Sequence, residues 1–352
     1  MTRKDSTQFI LSSKPKIVFF GTPQFAVCAL QKLIDEKLSP QLVITAPDKP
    51  IGRKQILTPS PVKILAQKNK IPTAIPSKIR DNQEILDKIG KLNPDLLIVA
   101  AYGKILPREL LDIPKFGSIN VHASILPKYR GASPIQSAIL EGESQTGVTI
   151  MLMDEKMDEG DIISLQKAPI EHNDTCQSLS ERLAEIGSKL LIETIPKYLK
   201  WRQNPKSLKN AGAPPLADIP EVKRNPKDRS VNDLLDVENG SGRVKIIFLP
   251  PFPQNHSKAT YTKIIKKEDG QIDLQPPPKA ENLGRMIRAF YPWPGVWIRW
   301  QISDGKYQII KFLPNNPFLI QPEGKRPMTI KEFLNGHPEA KGLIEKLLDP
   351  AV

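Results

Sequence analysis

A short polar triplet and a distant acid carry the chemistry that this sequence suggests. The triplet is Asn120-Val121-His122, and Asp158 follows it later in the chain. Residues i and i+2 of a strand point to the same side, so Asn120 and His122 share one face if the triplet is extended. An amide, an imidazole and a carboxylate can together polarise a carbonyl group and move a proton. The acids that compete with Asp158 are Asp154, Glu159 and Asp161. Spacing alone does not choose among these four carboxylates.

The elements that must position these residues form the pattern of an open α/β sheet. Apolar runs typical of parallel strands buried on both faces alternate with helical patterns. The predicted strands are Lys16–Gly21, Gln41–Ala46, Asn93–Ala101, Ser118–His122 and Gly147–Met153. This alternation favours an open, Rossmann-like, mostly parallel sheet with helices on both faces. A long amphipathic helix is predicted over Thr175–Tyr198.

The second half of the chain differs from the first in composition. Prolines punctuate a polar stretch after Trp201, and proline breaks both helix and sheet. We therefore interpret 203–255 as a linker or insertion with at most one strand, Val244–Leu249. From Ala259 onward, short β segments and two helices are predicted again. The predicted organisation is a disordered tail over 1–14, a catalytic domain over 15–202, the linker over 203–255 and a smaller β-rich domain over 256–352.

Composition narrows the class of protein. The chain has 352 residues, enough for two domains, and a formal net charge of +13. That charge favours an anionic partner, with nucleic acid first, although a generally lysine-rich composition would also produce it. Cys28 and Cys176 are too few for a disulfide framework or a zinc site, which favours a cytoplasmic protein without a metal. No apolar run approaches the ~20 residues of a membrane helix, so no membrane partner is expected.

A basic, proline-stiffened loop follows the second predicted strand. It carries Lys49, Arg53 and Lys54 at the edge of an open α/β sheet where ligands bind. A loop that contacts phosphate is the functional interpretation, and a solvated surface loop is the alternative. The earlier turn at Gly21 lacks the G-x-G-x-x-G pattern, which disfavours a dinucleotide site.

Several stretches of the chain resemble the methionyl-tRNA formyltransferase family, which belongs to the folate-dependent formyltransferases. They are F-F-G-T-P-Q-F-A, P-D-K-P-I-G-R-K, T-P-S-P-V-K, A-Y-G-K-I-L-P, N-V-H-A-S-I-L-P-K-Y-R-G-A-S-P-I, G-V-T-I-M, M-D-E-G-D and R-A-F-Y-P-W-P. The matches cover about 16–200 and resume at His256–Trp300. The run from Asn120 to Ile135 is the most specific of them.

The resemblance implies roles for residues of the polar site. It implies that the catalytic trio is Asn120, His122 and Asp158, which selects Asp158 from the competing acids. It also implies that the co-substrate is 10-formyltetrahydrofolate and that no metal is needed. The tetrahydrofolate site is then lined by Ser124, Ile125, Leu126 and Pro127. Leucine is commoner in the family where this chain has Ile125.

The resemblance also implies a formyl acceptor. This is the α-amine of methionine on initiator methionyl-tRNA, which serves translation initiation. The basic loop resembles the family's contact with the tRNA acceptor arm, which implies that Lys49, Arg53 and Lys54 bind tRNA. Enzymes that formylate a nucleotide-linked amino sugar or another small amine share the catalytic motif and remain the alternative. A cytoplasmic monomer is expected.

Two departures from the family bear on these expectations. The linker over 203–255 is longer than the family's, and no role follows from its sequence. The family's C-terminal domain is a β-barrel of the oligonucleotide-binding type, but this chain is short after Trp300. The middle of that barrel is missing between Leu313 and Phe318, and a barrel closes only if its strands are all present. We predict an open, truncated barrel that binds tRNA more weakly.

Overall fold

A computed structural model describes residues 14–52, 54–204, 245–302, 305–315 and 318–348. They form two compact units that interleave along the chain. The first unit is built from the described residues of Met1–Arg130, Gly147–Ala168 and Arg182–Thr260, and the second from those of Gly131–Thr146, Pro169–Glu181 and Tyr261–Val352. The sequential domain boundaries drawn above stay a prediction. The predicted tail, apart from Lys14, and linker residues 205–244 lie outside the described residues.

The strands and helices are numbered in chain order. The strands are β1 (Ile17–Gly21), β2 (Leu42–Ile44), β3 (Lys49–Ile51), β4 (Ile56–Thr58), β5 (Thr73–Ala74), β6 (Leu96–Ala100), β7 (Ser118–His122), β8 (Arg130–Gly131), β9 (Gln145–Leu152), β10 (Ile162–Pro169), β11 (Lys245–Phe252), β12 (Tyr261–Thr262), β13 (Val296–Gln301), β14 (Tyr307–Leu313), β15 (Leu319–Pro322) and β16 (Met328–Thr329). The helices are α1 (Gln24–Asp35), α2 (Pro61–Lys68), α3 (Gln83–Leu92), α4 (Arg108–Leu111), α5 (Pro134–Leu140), α6 (Cys176–Gln203), α7 (Ala280–Ala289), α8 (Ile330–Gly336) and α9 (Lys341–Leu348). In the described part of the chain, no helix is both long and apolar enough to cross a membrane.

The main sheet has the strand order β11-β10-β9-β7-β6-β1-β2-β5. Strands β7, β6, β1, β2 and β5 run parallel to one another, whereas β9 is antiparallel to β7. Every residue of β1 and β6 is buried, as the apolar runs predict for inner parallel strands. The prediction of an open, mostly parallel α/β sheet is therefore confirmed.

Local sequence signals fix the helices that flank this sheet. The hydroxyl of Ser60 accepts a hydrogen bond from the backbone N–H of Lys63 and caps α2, which begins at Pro61. The amide oxygen of Asn82 caps α3 in the same way, and Asn93 ends that helix in the left-handed conformation. Apolar residues of β1, β2 and β6 pack with residues of α3 into one core, which includes Val18, Phe20, Leu42, Ile44, Ile85, Ile89, Leu97 and Val99.

The carboxyl end of the predicted linker contains a longer strand than the sequence predicts. Residues 245–252 form β11, an edge strand antiparallel to β10, which is longer than the predicted strand Val244–Leu249. The pairing shifts register between Ile162 and Ser164, and an irregular edge strand tolerates prolines. Burial of apolar side chains drives the pairing. The cluster consists of Ile125, Leu126, Met151, Ile162, Leu165, Ile246, Phe248 and Phe252.

The second unit contains the smaller antiparallel β domain that was predicted. Strands β13, β14, β15 and β16 pair in sequence order, and α7, α8 and α9 belong to the same unit. Within the described residues, the end strands β13 and β16 do not pair with each other. The smaller antiparallel β domain is therefore confirmed, and the open, truncated barrel stays a prediction.

Candidate active site

Strand β7 presents two polar side chains at the centre of the main sheet. Asn120 lies opposite Met151 in the register with β9, and His122 lies opposite Thr149. Asn120 is half-buried and His122 is only 6% exposed. The structure places both side chains against the same carboxylate, so they share one face of the strand as their spacing predicts.

The carboxylate that joins them belongs to Asp158. The amide Nδ2 of Asn120 donates a long hydrogen bond of 3.4 Å to Asp158 Oδ1. The ring Nδ1 of His122 lies 3.6 Å from Asp158 Oδ2, which is an ion-pair distance and too long for a hydrogen bond. Long contacts of this kind are common at catalytic sites that hold no substrate. The three residues of the predicted trio are therefore neighbours in space.

The other ring nitrogen of His122 is held by the backbone. Nε2 lies 3.0 Å from the carbonyl oxygen of Tyr129. A carbonyl oxygen can only accept, so Nε2 carries a hydrogen and donates it. Nδ1 then faces the carboxylate of Asp158. The backbone carbonyl of Tyr129 and the Asp158 carboxylate thus lie at the two nitrogens of the ring.

The acids that compete with Asp158 face other partners. Asp154 accepts from the backbone N–H of Lys156, and Glu159 pairs with Arg130 at 3.3 Å. Burial raises the pKa of Asp161, and the charge of Asp154 adds to that effect. Asp158 itself has a φ of +55°, a left-handed conformation that is uncommon for a residue other than glycine. Such conformations persist where surrounding contacts hold them, and they cluster at functional sites.

The segment after His122 is the loop that the resemblance assigns to tetrahydrofolate. Ser124, Leu126 and Pro127 are buried, and Ile125 is partly exposed. The hydroxyl of Thr149, on β9, donates to the carbonyl of Ser124 at 2.7 Å and accepts from the N–H of Leu126 at 3.2 Å. The buried loop backbone is therefore fixed by a side chain of the neighbouring strand.

A close backbone approach behind this loop requires glycine. A Cβ atom added to Gly147 would lie 2.2 Å from the carbonyl oxygen of Gln166 and 2.4 Å from Cδ1 of Ile125. Real side chains do not tolerate such distances. Gly147 therefore lets β9 lie close to β10 and to Ile125 of the candidate folate loop.

The basic loop forms a two-stranded hairpin of β3 and β4. Lys49 and Lys54 are exposed, whereas Arg53 lies outside the described residues. Burial lowers the pKa of Lys104, and the positive charge of Lys49 adds to the effect. Two lysines from separate segments thus lie near each other beside this hairpin. Ile56 and Leu57 of β4 are also exposed, which is unusual for large apolar side chains of a hairpin.

Sequence reasoning missed four residues that build the site. Thr149 anchors the candidate folate loop and Tyr129 orients His122 through its carbonyl. Arg130 is fully buried, and its guanidinium donates to the side chain of Gln254. Arg130 lies within the most specific motif and could have been singled out as a buried charge. Nothing in the sequence indicates the role of Gln254, because its partners are distant in the chain.

Comparisons with known proteins agree with the fold. The formyl transferase family model matches residues 15–195, and the model of the formyl transferase C-terminal domain matches residues 264–317. A methionyl-tRNA formyltransferase of Caldicellulosiruptor saccharolyticus is 36% identical, with 93% of this chain and 98% of that protein aligned. Another, of Sulfurihydrogenibium sp. (strain YO3AOP1), is 39% identical, with 86% of this chain and 81% of that protein aligned.

Among solved structures, a sugar N-formyltransferase from Shewanella sp FDAARGOS_354 aligns with 86% of this chain and 99% of its own, with a TM-score of 0.55 and 16% identity. At that identity the likeness is one of fold. The two family models and these sequence relatives define a formyltransferase. The chain belongs to the formyl transferase family, within which its sequence places it among the methionyl-tRNA formyltransferases.

Proposed function

We propose that this protein transfers a formyl group from 10-formyltetrahydrofolate to the α-amine of methionine on initiator methionyl-tRNA. The observation that carries the proposal is the single carboxylate of Asp158, which contacts both the Asn120 amide and the His122 ring. Amide, imidazole and carboxylate are the groups that this reaction needs. The sequence relatives named as methionyl-tRNA formyltransferases support the same activity.

Asn120 is suited to stabilise charge on the formyl oxygen. When the amine nitrogen attacks the formyl carbon, negative charge develops on that oxygen. The Nδ2 atom of Asn120 carries two hydrogens, and the long contact with Asp158 takes one of them. We assign the other to the oxyanion, an interaction that strengthens as charge develops.

His122 and Asp158 are suited to move the amine proton. The attacking nitrogen loses a proton as its new bond to carbon forms, and the bond between that carbon and the folate nitrogen then breaks. The leaving nitrogen must receive a proton. The Asp158 carboxylate can accept the first proton, share it with the imidazole Nδ1 that lies 3.6 Å away, and then return it to the leaving nitrogen. The hydrogen bond from Nε2 to Tyr129 holds the ring in place throughout.

The co-substrate and acceptor sites are part of the same proposal. The folate would be held by Ser124, Ile125, Leu126 and Pro127. Of these four side chains, that of Ile125 is the one partly exposed to a ligand. On the acceptor side, exposed Lys49 and Lys54 would contact tRNA phosphates, and Arg53, the residue before Lys54 in sequence, is proposed with them. The net charge of +13 supports an RNA substrate. We further propose that the protein acts as a cytoplasmic monomer.

A formyl-transfer assay tests this function. Purified protein is given 10-formyltetrahydrofolate and charged initiator tRNA, charged elongator tRNA or a nucleotide-linked amino sugar. The expected result is rapid formylation of initiator methionyl-tRNA and little turnover of the amino sugar. Preferential formylation of the amino sugar would overturn the proposed acceptor while leaving formyl transfer intact. No turnover with any acceptor would overturn the chemistry assigned to the trio.

A further inference from the structure

The side chain of Gln254 lies against the backbone of the loop that carries Asp158. Its Nε2 donates to the carbonyl oxygen of Asp158 at 2.9 Å and to that of Gly160 at 2.8 Å. Gln254 is only 5% exposed, so these bonds are shielded from water. The carbonyls on both sides of Glu159 are therefore held by one amide group.

The other end of the same amide is held by Arg130. The Oε1 atom of Gln254 accepts from Arg130 Nε at 3.1 Å and from Arg130 Nη2 at 2.7 Å. A glutamine amide has two donor hydrogens and two acceptor lone pairs, so these four contacts use its full capacity. A side chain saturated in this way has one orientation, because any rotation leaves buried groups unpaired.

Arg130 connects this amide to both halves of the catalytic site. Its Nη1 lies 3.3 Å from the carboxylate of Glu159, the residue next to Asp158. It directly follows Tyr129, whose carbonyl accepts the hydrogen bond from His122. One pair of neighbouring residues thus orients the imidazole and, through Gln254 and Glu159, the loop of the carboxylate.

The loop needs such support because its backbone is not in a relaxed conformation. Asp158 has a φ of +55°, and left-handed conformations of ordinary residues persist only when surrounding contacts impose them. Without the two donated bonds, the backbone around Asp158 loses part of the support for this conformation. The carboxylate would then move away from Asn120 and His122, whose contacts with it are already long at 3.4 and 3.6 Å.

We propose that Gln254 is a positioning residue for formyl transfer, which holds the Asp158 carboxylate in its working place through the backbone of residues 158–160. It does not touch the reacting atoms. The inference rests on the proposed function only in that Asp158 serves the chemical step. Gln254 lies just after β11, the edge strand of the main sheet. The proposal thus gives this part of the chain a role in positioning the active site.

Two variants of Gln254 separate its donors from its acceptor. Gln254→Glu keeps the acceptor for Arg130 but sets an oxygen against the carbonyls of Asp158 and Gly160. Gln254→Met keeps the length of the side chain and removes all four hydrogen bonds. The matched control is Tyr198→Phe, which removes another buried hydrogen bond to a backbone carbonyl, that of Phe116 at 2.7 Å, without touching the site.

The measurements are kcat, the KM for each substrate and the thermal unfolding temperature, all with the full-length protein. Small misplacements of a catalytic group cost up to about 100-fold in rate, so both Gln254 variants are expected to lose about 10- to 100-fold in kcat. The KM for 10-formyltetrahydrofolate and for methionyl-tRNA should stay within about twofold of the values for the unsubstituted protein. The reason is that Gln254 makes none of the contacts that bind either substrate in the ground state. Tyr198→Phe should keep its kcat even if its unfolding temperature falls.

Three results would overturn the inference. One is a kcat at the level of the unsubstituted protein in both Gln254 variants. Another is a loss of kcat in Tyr198→Phe that matches its loss of stability, which would make the effect one of general destabilisation. The third is failure of both Gln254 variants to fold, which would make the residue structural. If the unsubstituted protein itself transfers no formyl group, the proposed function fails instead, and the two failures are distinguishable.

Discussion

The Nε2 atom of His122 donates to the backbone carbonyl of Tyr129 at 3.0 Å. This bond spans the loop that the family resemblance assigns to tetrahydrofolate, because the loop begins just after the histidine and ends just before the tyrosine. The hydrogen bond fixes which ring nitrogen carries a hydrogen and which one faces Asp158. A ligand that displaces the loop would therefore also displace the imidazole ring.

Substitutions in the catalytic trio are expected to lower the rate of formyl transfer strongly and to leave the fold intact. Asn120→Ala removes the proposed oxyanion donor, and such donors are worth about 10²–10³ in kcat. Asp158→Ala removes the proposed acid–base group, and such groups contribute about 10²–10⁴. Single-turnover formyl transfer measures both losses, with circular dichroism to check the fold. A near-normal rate in either variant would contradict the assigned role.

Asp161 supplies a matched control for Asp158, with a prediction of its own. Burial raises its pKa in the folded protein, so the ionised form is disfavoured there. Its contribution to stability is complete below the unfolded-state pKa and is lost as pH rises through the folded-state pKa. Asp161→Asn should therefore raise the unfolding temperature at neutral pH but not at strongly acidic pH, and should leave transfer intact. Equal unfolding temperatures at every pH would contradict this.

Thr149→Val tests the anchor of the candidate folate loop. The isosteric change leaves the buried carbonyl of Ser124 and the buried N–H of Leu126 without their partner, at a cost of about 1–3 kcal/mol for each group. The expected result is a lower free energy of unfolding and a higher KM for 10-formyltetrahydrofolate. Thr149→Ser keeps the hydroxyl and should restore most of both properties. If the valine variant kept a normal KM, the loop would not depend on this anchor.

Gly160→Ala tests how tightly the Asp158 loop is held. A Cβ atom at this position would lie 2.1 Å from the carbonyl oxygen of Leu152, so the loop must move. The expected result is a fall in transfer rate of at least about 10-fold, as for other displacements of a catalytic group. Gly90→Ala, within α3, is the matched control because its added Cβ meets no atom within 4 Å. The control should gain about 0.5–1 kcal/mol in stability, since alanine favours helix over glycine.

The basic hairpin predicts a salt-dependent contact with tRNA. Replacing Lys49 and Lys54 by glutamate should raise the KM for methionyl-tRNA and leave the KM for 10-formyltetrahydrofolate unchanged. Each lost phosphate contact should reduce the slope of log affinity against log salt by about 0.7–0.9. Replacing Lys88 and Lys91 by glutamate makes the same charge change at two exposed positions of α3 and serves as control. An equal effect of the control would assign the contact to net charge instead of to the hairpin.

Much of the fold follows from local patterns in the sequence. The fully apolar runs of β1 and β6 predict buried parallel strands because a strand covered on both faces needs apolar side chains on both. The face shared by Asn120 and His122 follows from the two-residue period of a strand. The sequence predicts the edge strand β11 only in part. Its prolines argue against a strand, and its burial depends on pairing with β10, which is far away in the chain.

The sequence by itself determined the type of sheet, the placement of Asn120 and His122 on one strand and, through its motif, the choice of Asp158. Only the tertiary structure showed that Asp158 lies against both side chains, that Tyr129 orients the ring and that Gln254 and Arg130 hold the carboxylate loop. The physical reason is the distance along the chain between the residues that interact. Strand and helix patterns come from contacts between near neighbours in sequence, whereas this site depends on single hydrogen bonds that join segments far apart in the chain.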